Sequence, residues 1–310
     1  MVELFGLRSP TPYYHAIVSR TLAALSVCVP LAAVIAPTAF ADGILNPSPR
    51  PLGMGGAARG FATGDAGPQL NPSGISLMRA YLMEGSYQYG SALKAHDVRL
   101  SAVDSTSGFN MGGALYYNYH RDSPADGVNQ TGHLFGGSLS FPLLDKIFFG
   151  GSAKYVRFAD VSGTTHTGFT FDAGLTLRPI PQLSIGAAGY NLLDRQTPWA
   201  PRAVGGGVAV LPLPNLILLF DSVLEKDYVS TTRDKVVYYM GGGEFSLATA
   251  AAIRAGGGHD GMSGNNYVSA GVSTISAEIG ALDLGLRQDV SGQKKTTVIG
   301  ISARLFVPTM

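Results

Sequence analysis

The residues able to do chemistry are few and far apart. His96, His120, His133, His166 and His259 lie singly along the chain and read as loop or strand-end residues. Asp97 and Asp104 fall on opposite faces of an extended segment, so they cannot serve one substrate as general acid and base. His259-Asp260-Gly261 could hold a cation only weakly. There is no phosphate-binding glycine loop, no G-x-S-x-G elbow and no H-E-x-x-H pair. A lipase-type enzyme would need a Ser/His pair, and none can be nominated. The expectation is a protein with no catalytic residues, no metal ligands and no cofactor.

The remaining charges sit inside alternating segments: Glu84, Arg99, Lys154, Asp172, Arg178, Asp221, Glu244, Arg254, Asp283, Arg287 and Arg304. Charged residues are only 14% of the 310, well below the roughly 25% of a soluble domain. Glycine, at 41 residues, is about twice its usual share of ~7%. Apolar residues make up 45%, and mean hydropathy is +0.18. A net charge of +1 offers nucleic acid no basic excess. Low charge with high apolar content excludes a disordered chain. The surface is built to face something other than water.

Residues 1–41 read as a secretory signal. Arg8 and Arg20 form a basic start, Leu22 to Ala36 is an apolar run of 15 residues, and Ala39-Phe40-Ala41 precedes Asp42 as a cleavage pattern. The run is shorter than the ~20 residues of a helical span. Val27 occupies the place where a lipoprotein signal ahead of Cys28 wants a small residue. Cleavage after Ala41 removes the single cysteine, two basic residues and one acidic residue, leaving twenty charges of each sign. The product can be neither a thiol enzyme nor a cysteine-ligated zinc protein.

What must position the in-strand charges is a sheet. The dominant period is two. Phe169, Phe171, Ala173, Leu175 and Leu177 share one face, opposite His166, Gly168, Thr170, Asp172, Gly174, Thr176 and Arg178. Leu282, Leu284 and Leu286 oppose Asp283, Gly285 and Arg287. About fourteen such segments fill residues 80–307, most near the ~9–11 residues that cross a bilayer as a tilted strand. Residues 216–220 are apolar on both faces. Short connections near 143–145, 179–181, 212–214, 248–250 and 275–277 alternate with longer polar ones near 121–130, 159–165, 193–201, 224–234 and 259–264. That parity belongs to a membrane barrel, with short turns on the periplasmic side. Aromatics such as Tyr87, Tyr117, Tyr155, Phe148 and Tyr238 fall near strand ends, where interfacial girdles sit. In-strand charges should then face the lumen, because a basic residue in lipid costs about 2–4 kcal/mol at mid-depth.

Residues 42–79 do not alternate. They carry Leu52-Gly53-Met54-Gly55-Gly56-Ala57, then Arg59, Phe61 and Asp65, then Asn71-Pro72-Ser73-Gly74-Ile75. This small-residue segment suits the inside of a barrel. Its motifs resemble the N-terminal hatch of FadL-type outer-membrane proteins, a superfamily of long-chain fatty acid and aromatic hydrocarbon transporters with a PorV-like branch in protein secretion and surface attachment. Ser73 stands where the family motif has alanine. Gly189-Tyr190-Asn191-Leu192 followed by Pro201-Arg202 is similar to a pattern of the PorV-like branch. The resemblance implies a plugged barrel of fourteen strands.

The expected organisation is therefore a signal peptide over 1–41, a hatch over 42–79 and an all-β, antiparallel transmembrane barrel over 80–310, in the bacterial outer membrane. The resemblance implies passive uptake of a hydrophobic small molecule, with Leu52, Met54, Phe61, Asn71 and Pro72 on the ligand path. It also implies a kink in the third strand, for which Gly112-Gly113 is the candidate, and lateral exit of ligand or lipid to the membrane. Arg59 and Asp65 are expected to hold the hatch by ion pairs. The alternative is a PorV-like scaffold that binds a partner protein and transports nothing small. Short outer loops favour that alternative. The aromatic residue that ends many such barrels is here Phe306, four residues from the terminus.

Overall fold

The computed structural model describes residues 47–106, 111–125, 128–160, 162–193, 200–226, 234–247, 250–276 and 279–307. The signal segment, its cleavage site and residues 42–46 lie outside them. Fourteen strands run in chain order around a closed barrel, each antiparallel to its neighbours. They are β1 (Tyr81–Gly90), β2 (Ala95–Asp104), β3 (Gly112–Ala125), β4 (Val128–Leu144), β5 (Ile147–Ala159), β6 (Thr165–Ile180) and β7 (Leu183–Tyr190). There follow β8 (Ala203–Leu213), β9 (Leu216–Lys226), β10 (Lys235–Leu247), β11 (Ala251–Asp260), β12 (Asn265–Ser276), β13 (Gly280–Asp289) and β14 (Thr297–Phe306). β1 closes on β14 over nine pairs, from Leu82 opposite Phe306 to Gly90 opposite Val298. Closure leaves no sheet edge.

The alternation decides which face looks where. On β1, Leu82, Glu84, Ser86 and Gln88 are buried while Met83 and Tyr87 are exposed. On β6, Thr170, Asp172 and Thr176 are buried while Phe169, Phe171, Leu175 and Leu177 are exposed. Leu115 is 72% exposed and Phe220 64%. An apolar belt this complete could not be left in water at ~25 cal/mol per Å². It is a wall made for hydrocarbon. Inside, charge replaces it.

The rim that carries the β1–β2, β3–β4 and later odd-to-even connections is called upper here. The other, with the start of β1 and the end of β14, is lower. Lower connections span two or three residues, except the seven of 105–111. Upper ones range from two residues to the twelve of 191–202. The parity holds for most connections but fails at 121–130, which is mainly strand. β3 and β4 keep pairing through Arg121–Thr131 and Asp122–Gln130, with a register shift before the Ala125–Val128 pair. Polar residues there mark a ladder that climbs past the apolar belt, and β3 to β6 form the tall side of the wall. Two aromatics expected in the outer girdle belong to the interior. Tyr238 is buried, and Phe148 shares its parity with buried Gly150 and Ser152.

Residues 47–77 precede β1 as short helical turns: Pro49–Leu52, Arg59–Phe61, Gly64–Ala66, Gly67–Leu70 and Pro72–Leu77. Nearly all of them are buried, and they touch inward-facing positions of all fourteen strands. Residues 216–220 are apolar on both faces for this reason. Leu218 and Phe220 look outward, while Ile217 and Leu219 pack inward on Met54 and Ala57.

Candidate functional site

The interior residues meet the segment before β1 in two chemically different zones. The first is ionic. Arg50 follows Pro49 at the start of its turn, and its guanidinium donates two 2.9 Å bonds to the Glu244 carboxylate. Glu244 also accepts from Arg254 at 2.6 Å. Arg254 reaches Asp283 at 3.0 Å, Asp283 meets Arg304 at 2.7 Å, and Arg304 meets Glu84 at 3.2 Å. One chain of alternating charge thus runs from the segment through β10, β11, β13 and β14 to β1. Ser48 donates to Asp65, whose carboxylate lies close enough to Glu84 and Arg304 to act on both.

Arg59 forms a separate ionic centre. Its Nη1 is 3.2 Å from Asp221, its Nε donates to the Tyr190 hydroxyl at 2.8 Å, and Tyr190 in turn donates to the Leu70 carbonyl. The backbone N–H groups of Ala58 and Arg59 also donate to Asp221, both at 2.8 Å. Arg59 is 1% exposed, so this charge survives burial only because it is paired and hydrogen-bonded. Lys154 and Asp172 form a further buried pair at 2.6 Å within the wall.

The second zone is neutral. Asn71, fully buried, donates to the Arg59 carbonyl at 3.0 Å and to Thr176 Oγ1 at 3.1 Å. Its own Oδ1 accepts from the Ser73 hydroxyl at 2.7 Å and from the Ser73 N–H at 3.3 Å, and the second bond caps the turn that begins at Pro72. Ser140 donates to the Ser73 carbonyl at 2.9 Å. The wall makes room with glycine. A Cβ on Gly150 would lie 2.3 Å from the Pro72 carbonyl carbon, and one on Gly174 would lie 2.1 Å from Asn71 Oδ1. No other residue permits that approach.

These contacts place the residues named from sequence. Leu52 and Met54 are buried, and Met54 belongs to an apolar cluster with Ala57, Ala209 and Leu219, against which Phe61 packs. Arg178 lies over the Phe61 ring at 5.7 Å. Asn71 and Pro72 form the neutral zone. Arg59 pairs with Asp221, whereas Asp65 is held by Ser48. Gly112 and Gly113 are laddered without a break, to Ser140 and Leu139 on one side and, for Gly113, to Asp104 on the other. A Cβ on Gly112 would lie 2.5 Å from Ile75 Cγ2. In this state the glycine admits a side chain of the inner segment rather than bending the strand. Sequence reasoning missed Arg50, although an arginine between two prolines in a polar-poor segment was a visible signal.

His120 apart, the histidines have scattered, separate partners. His96 and His133 each meet a tyrosine hydroxyl, of Tyr87 at 2.7 Å and Tyr117 at 2.8 Å. His259 bonds Asn266 at 2.9 Å. Asp260 faces inward, takes Arg287 at 2.8 Å and caps the N–H groups of Met262 and Ser263. His120 stands between Asp97 at 2.7 Å and Asp122 at 3.6 Å on the interior face, a trio the sequence reading did not connect.

Two spaces frame the site. Inside, a cavity of about 40 Å³ lies between Leu52, Arg59, Tyr238, Met240 and Tyr267. It has room for water and none for a hydrocarbon. Outside, a concavity of about 970 Å³ crosses the wall from β14 to β6. Its floor is Gly85, Ala102, Gly137, Ala153 and Ala303, and Leu100, Leu115, Phe135, Tyr155 and Phe169 stand around it.

This architecture has solved counterparts. The toluene transporter TbuX of Ralstonia pickettii superposes with a TM-score of 0.69 at 13% identity, over 86% of this chain and 99% of that one. The monoaromatic hydrocarbon channel CymD gives 0.65 at 14%, over 86% and 99%. A FadL homologue of Pseudomonas aeruginosa gives 0.65 at 12%, over 85% and 99%. The fold is that of the FadL-type transporters. No protein-family model matches the sequence, and no curated protein does. At such identities the FadL-type likeness is one of backbone path, and the chemistry must be argued from this chain's own residues.

Proposed function

We propose that this protein is an outer-membrane channel for passive uptake of a hydrophobic small molecule, with residues 47–79 as a hatch that closes the lumen. The carrying observation is the pairing of an apolar, lipid-suited exterior with an interior filled by a compact segment that is docked but not covalently held. TbuX and CymD, which share the fold, are a toluene transporter and a monoaromatic hydrocarbon channel. The upper rim then faces outside the cell and the lower rim faces the periplasm, as short turns do in such barrels.

In this reading ligand leaves water for the apolar cluster of Tyr190, Val223, Val236 and Tyr238 beneath the upper rim. The 40 Å³ cavity there must widen, and the hatch moves to widen it. Asn71-Pro72 is the pivot, because neutral hydrogen bonds break and re-form with water at little net cost, whereas buried ion pairs do not. Exit is sideways into lipid. β3–β4 at Tyr116 and Gly136 suits that exit better than Gly112-Gly113. The Tyr116 ring lies directly on Gly136, where a Cβ would be 2.1 Å from it, and the apolar concavity lies just outside. Partition down a concentration gradient needs no energy coupling.

Uptake of labelled toluene and oleate by cells lacking the gene, with and without the wild-type copy, tests the reading. Uptake of at least one should fall several-fold in the deletion and return with the gene. Unchanged uptake of every apolar candidate, together with a large protein that co-purifies with the barrel, would overturn it in favour of a PorV-like scaffold.

A further inference from the structure

Within the described strands, the charges that face outward are sorted by rim, although Arg79 and Lys146 are exposed beside the lower rim. Among the described strand residues every carboxylate faces the interior except Asp104, which lies at the lower rim. The outward strand cations, Arg121, Arg157, Lys226 and Lys235, all lie near the upper ends of their strands. Nothing in barrel folding requires that sorting. An anionic layer around the upper rim does.

In one quadrant the sorting becomes a site. His96 on β2 is directly opposite Arg121 on β3, and His133 on β4 is directly opposite Arg157 on β5. Across four adjacent strands the group spans ~14 Å. Tyr87 and Tyr117 hold the two imidazoles by Nδ1. With the hydroxyl as donor, Nε2 carries the proton and points it outward. Among the described residues Arg121 has a 3.2 Å bond to Asn129 Oδ1, and Arg157 has no carboxylate partner. Arginine suits phosphate through its planar fork.

Directly below lies an aromatic row. Tyr117 and Phe135 pack with tilted rings and centroids 4.6 Å apart, and Tyr155 and Phe169 likewise at 5.1 Å. Below that row is the 970 Å³ concavity with its floor of Gly85, Ala102, Gly137, Ala153 and Ala303. Cations, aromatic ring edges and an apolar trough thus follow one another down a single wall. That is the order of groups along a lipid from phosphate to acyl chain.

We propose that His96, Arg121, His133 and Arg157 form a binding site for the phosphorylated head of a membrane lipid, whose acyl chain lies in the trough beneath. The proposal rests on the placement of the upper rim in an outer leaflet but not on transport. The site serves as an anchor that fixes the height and rotation of the barrel in its membrane.

The test uses the purified full-length mature protein in detergent and counts retained lipid by native mass spectrometry. The probes are bis-phosphorylated lipid A and the same lipid without its phosphates. Wild-type protein should retain the phosphorylated lipid at least tenfold more strongly. The double variant Arg121→Gln/Arg157→Gln should lose that tenfold preference, while Lys226→Gln/Lys235→Gln, on the far wall, should change it less than twofold. Gly137→Leu, whose Cβ meets nothing closer than 3.5 Å, should fill the trough and weaken retention of both lipids. Heat-modifiable gel migration confirms that each variant is folded. Equal retention of the two lipids, equal loss in the two double variants, or displacement by millimolar inorganic phosphate would overturn the proposal. Because no cell takes part, a failed uptake assay leaves this result standing, and the reverse also holds.

Discussion

The two halves of the proposed hatch are held by opposite chemistry. Residues 47–61 carry the arginines, Arg50 and Arg59, and each meets an inward-facing carboxylate of the wall, part-buried Glu244 and buried Asp221. Residues 67–77 carry no charge, and they dock through Asn71, Ser73 and backbone laid on glycine. The ionic half is costly to detach, since a separated ion would remain in a place with little water. The neutral half can exchange its partners for water with a small net change. Strength of anchorage and capacity to move are thus divided along one short segment. In the proposed mechanism the hinge therefore belongs in the neutral half.

Fixing the neutral half should have the largest effect. Ser73 Oγ and Thr176 Oγ1 are 2.7 Å apart, and the chain after residue 41 has no cysteine of its own. The double variant Ser73→Cys/Thr176→Cys, oxidised, should abolish uptake of whichever apolar substrate the wild type carries, and reduction should restore it. Uptake that continues in the oxidised form would show that this half need not move. Next in size is the ionic half. Asp221→Ala leaves Arg59 buried beside Tyr190 without its counter-charge and should cost about 3–5 kcal/mol in urea unfolding of the detergent-solubilised barrel. Asn71→Ala removes hydrogen bonds but strands no ion, and should cost about 1–3 kcal/mol. Limited proteolysis separates the two cases: Asn71→Ala should free the hatch for cleavage while the barrel stays folded. If Asn71→Ala proves the more damaging, the division drawn above is wrong.

The division was only half legible in the sequence. Period-two alternation was enough to find the wall, because inward and outward solvents differ so strongly that each strand advertises its two faces. At 216–220 the alternation vanished, since Ile217 and Leu219 meet the apolar residues Met54 and Ala57 instead of polar filling. At 121–130 polar residues imitated a loop because the ladder there has risen above the apolar belt. Which charge answers which across the lumen was not legible. Arg59 and Asp65 could be marked as buried charges, but Asp221 and Ser48 answer them from positions with no sequence relation. Only closure of β1 on β14 sets Glu84 beside Arg304 and completes the ionic chain. In-strand glycines were visible, yet their reason was not: Gly150 and Gly174 are defined by what lies on them.

A carboxylate outside both halves separates the effect of charge from that of burial. Asp160, in the upper turn between β5 and β6, accepts from the Ser162 hydroxyl at 2.6 Å, from His166 at 3.0 Å, and from the Ser162 and Thr164 N–H groups. These bonds, that of the Ser162 hydroxyl first, hold its pKa down to about 2. A depressed carboxyl pKa contributes order above its unfolded value of about 3.9 and loses it as pH falls through the folded one. Hydrogen exchange at Ser162 and Thr164 should therefore be steady above about pH 4 and should lose its protection between about pH 4 and 2, with the barrel still folded. Asp160→Asn should expose those amides and leave urea unfolding unchanged. A shift in global unfolding comparable with that of Asp221→Ala would mean that the number of bonds to a carboxylate, rather than its burial, sets the strength of the ionic half.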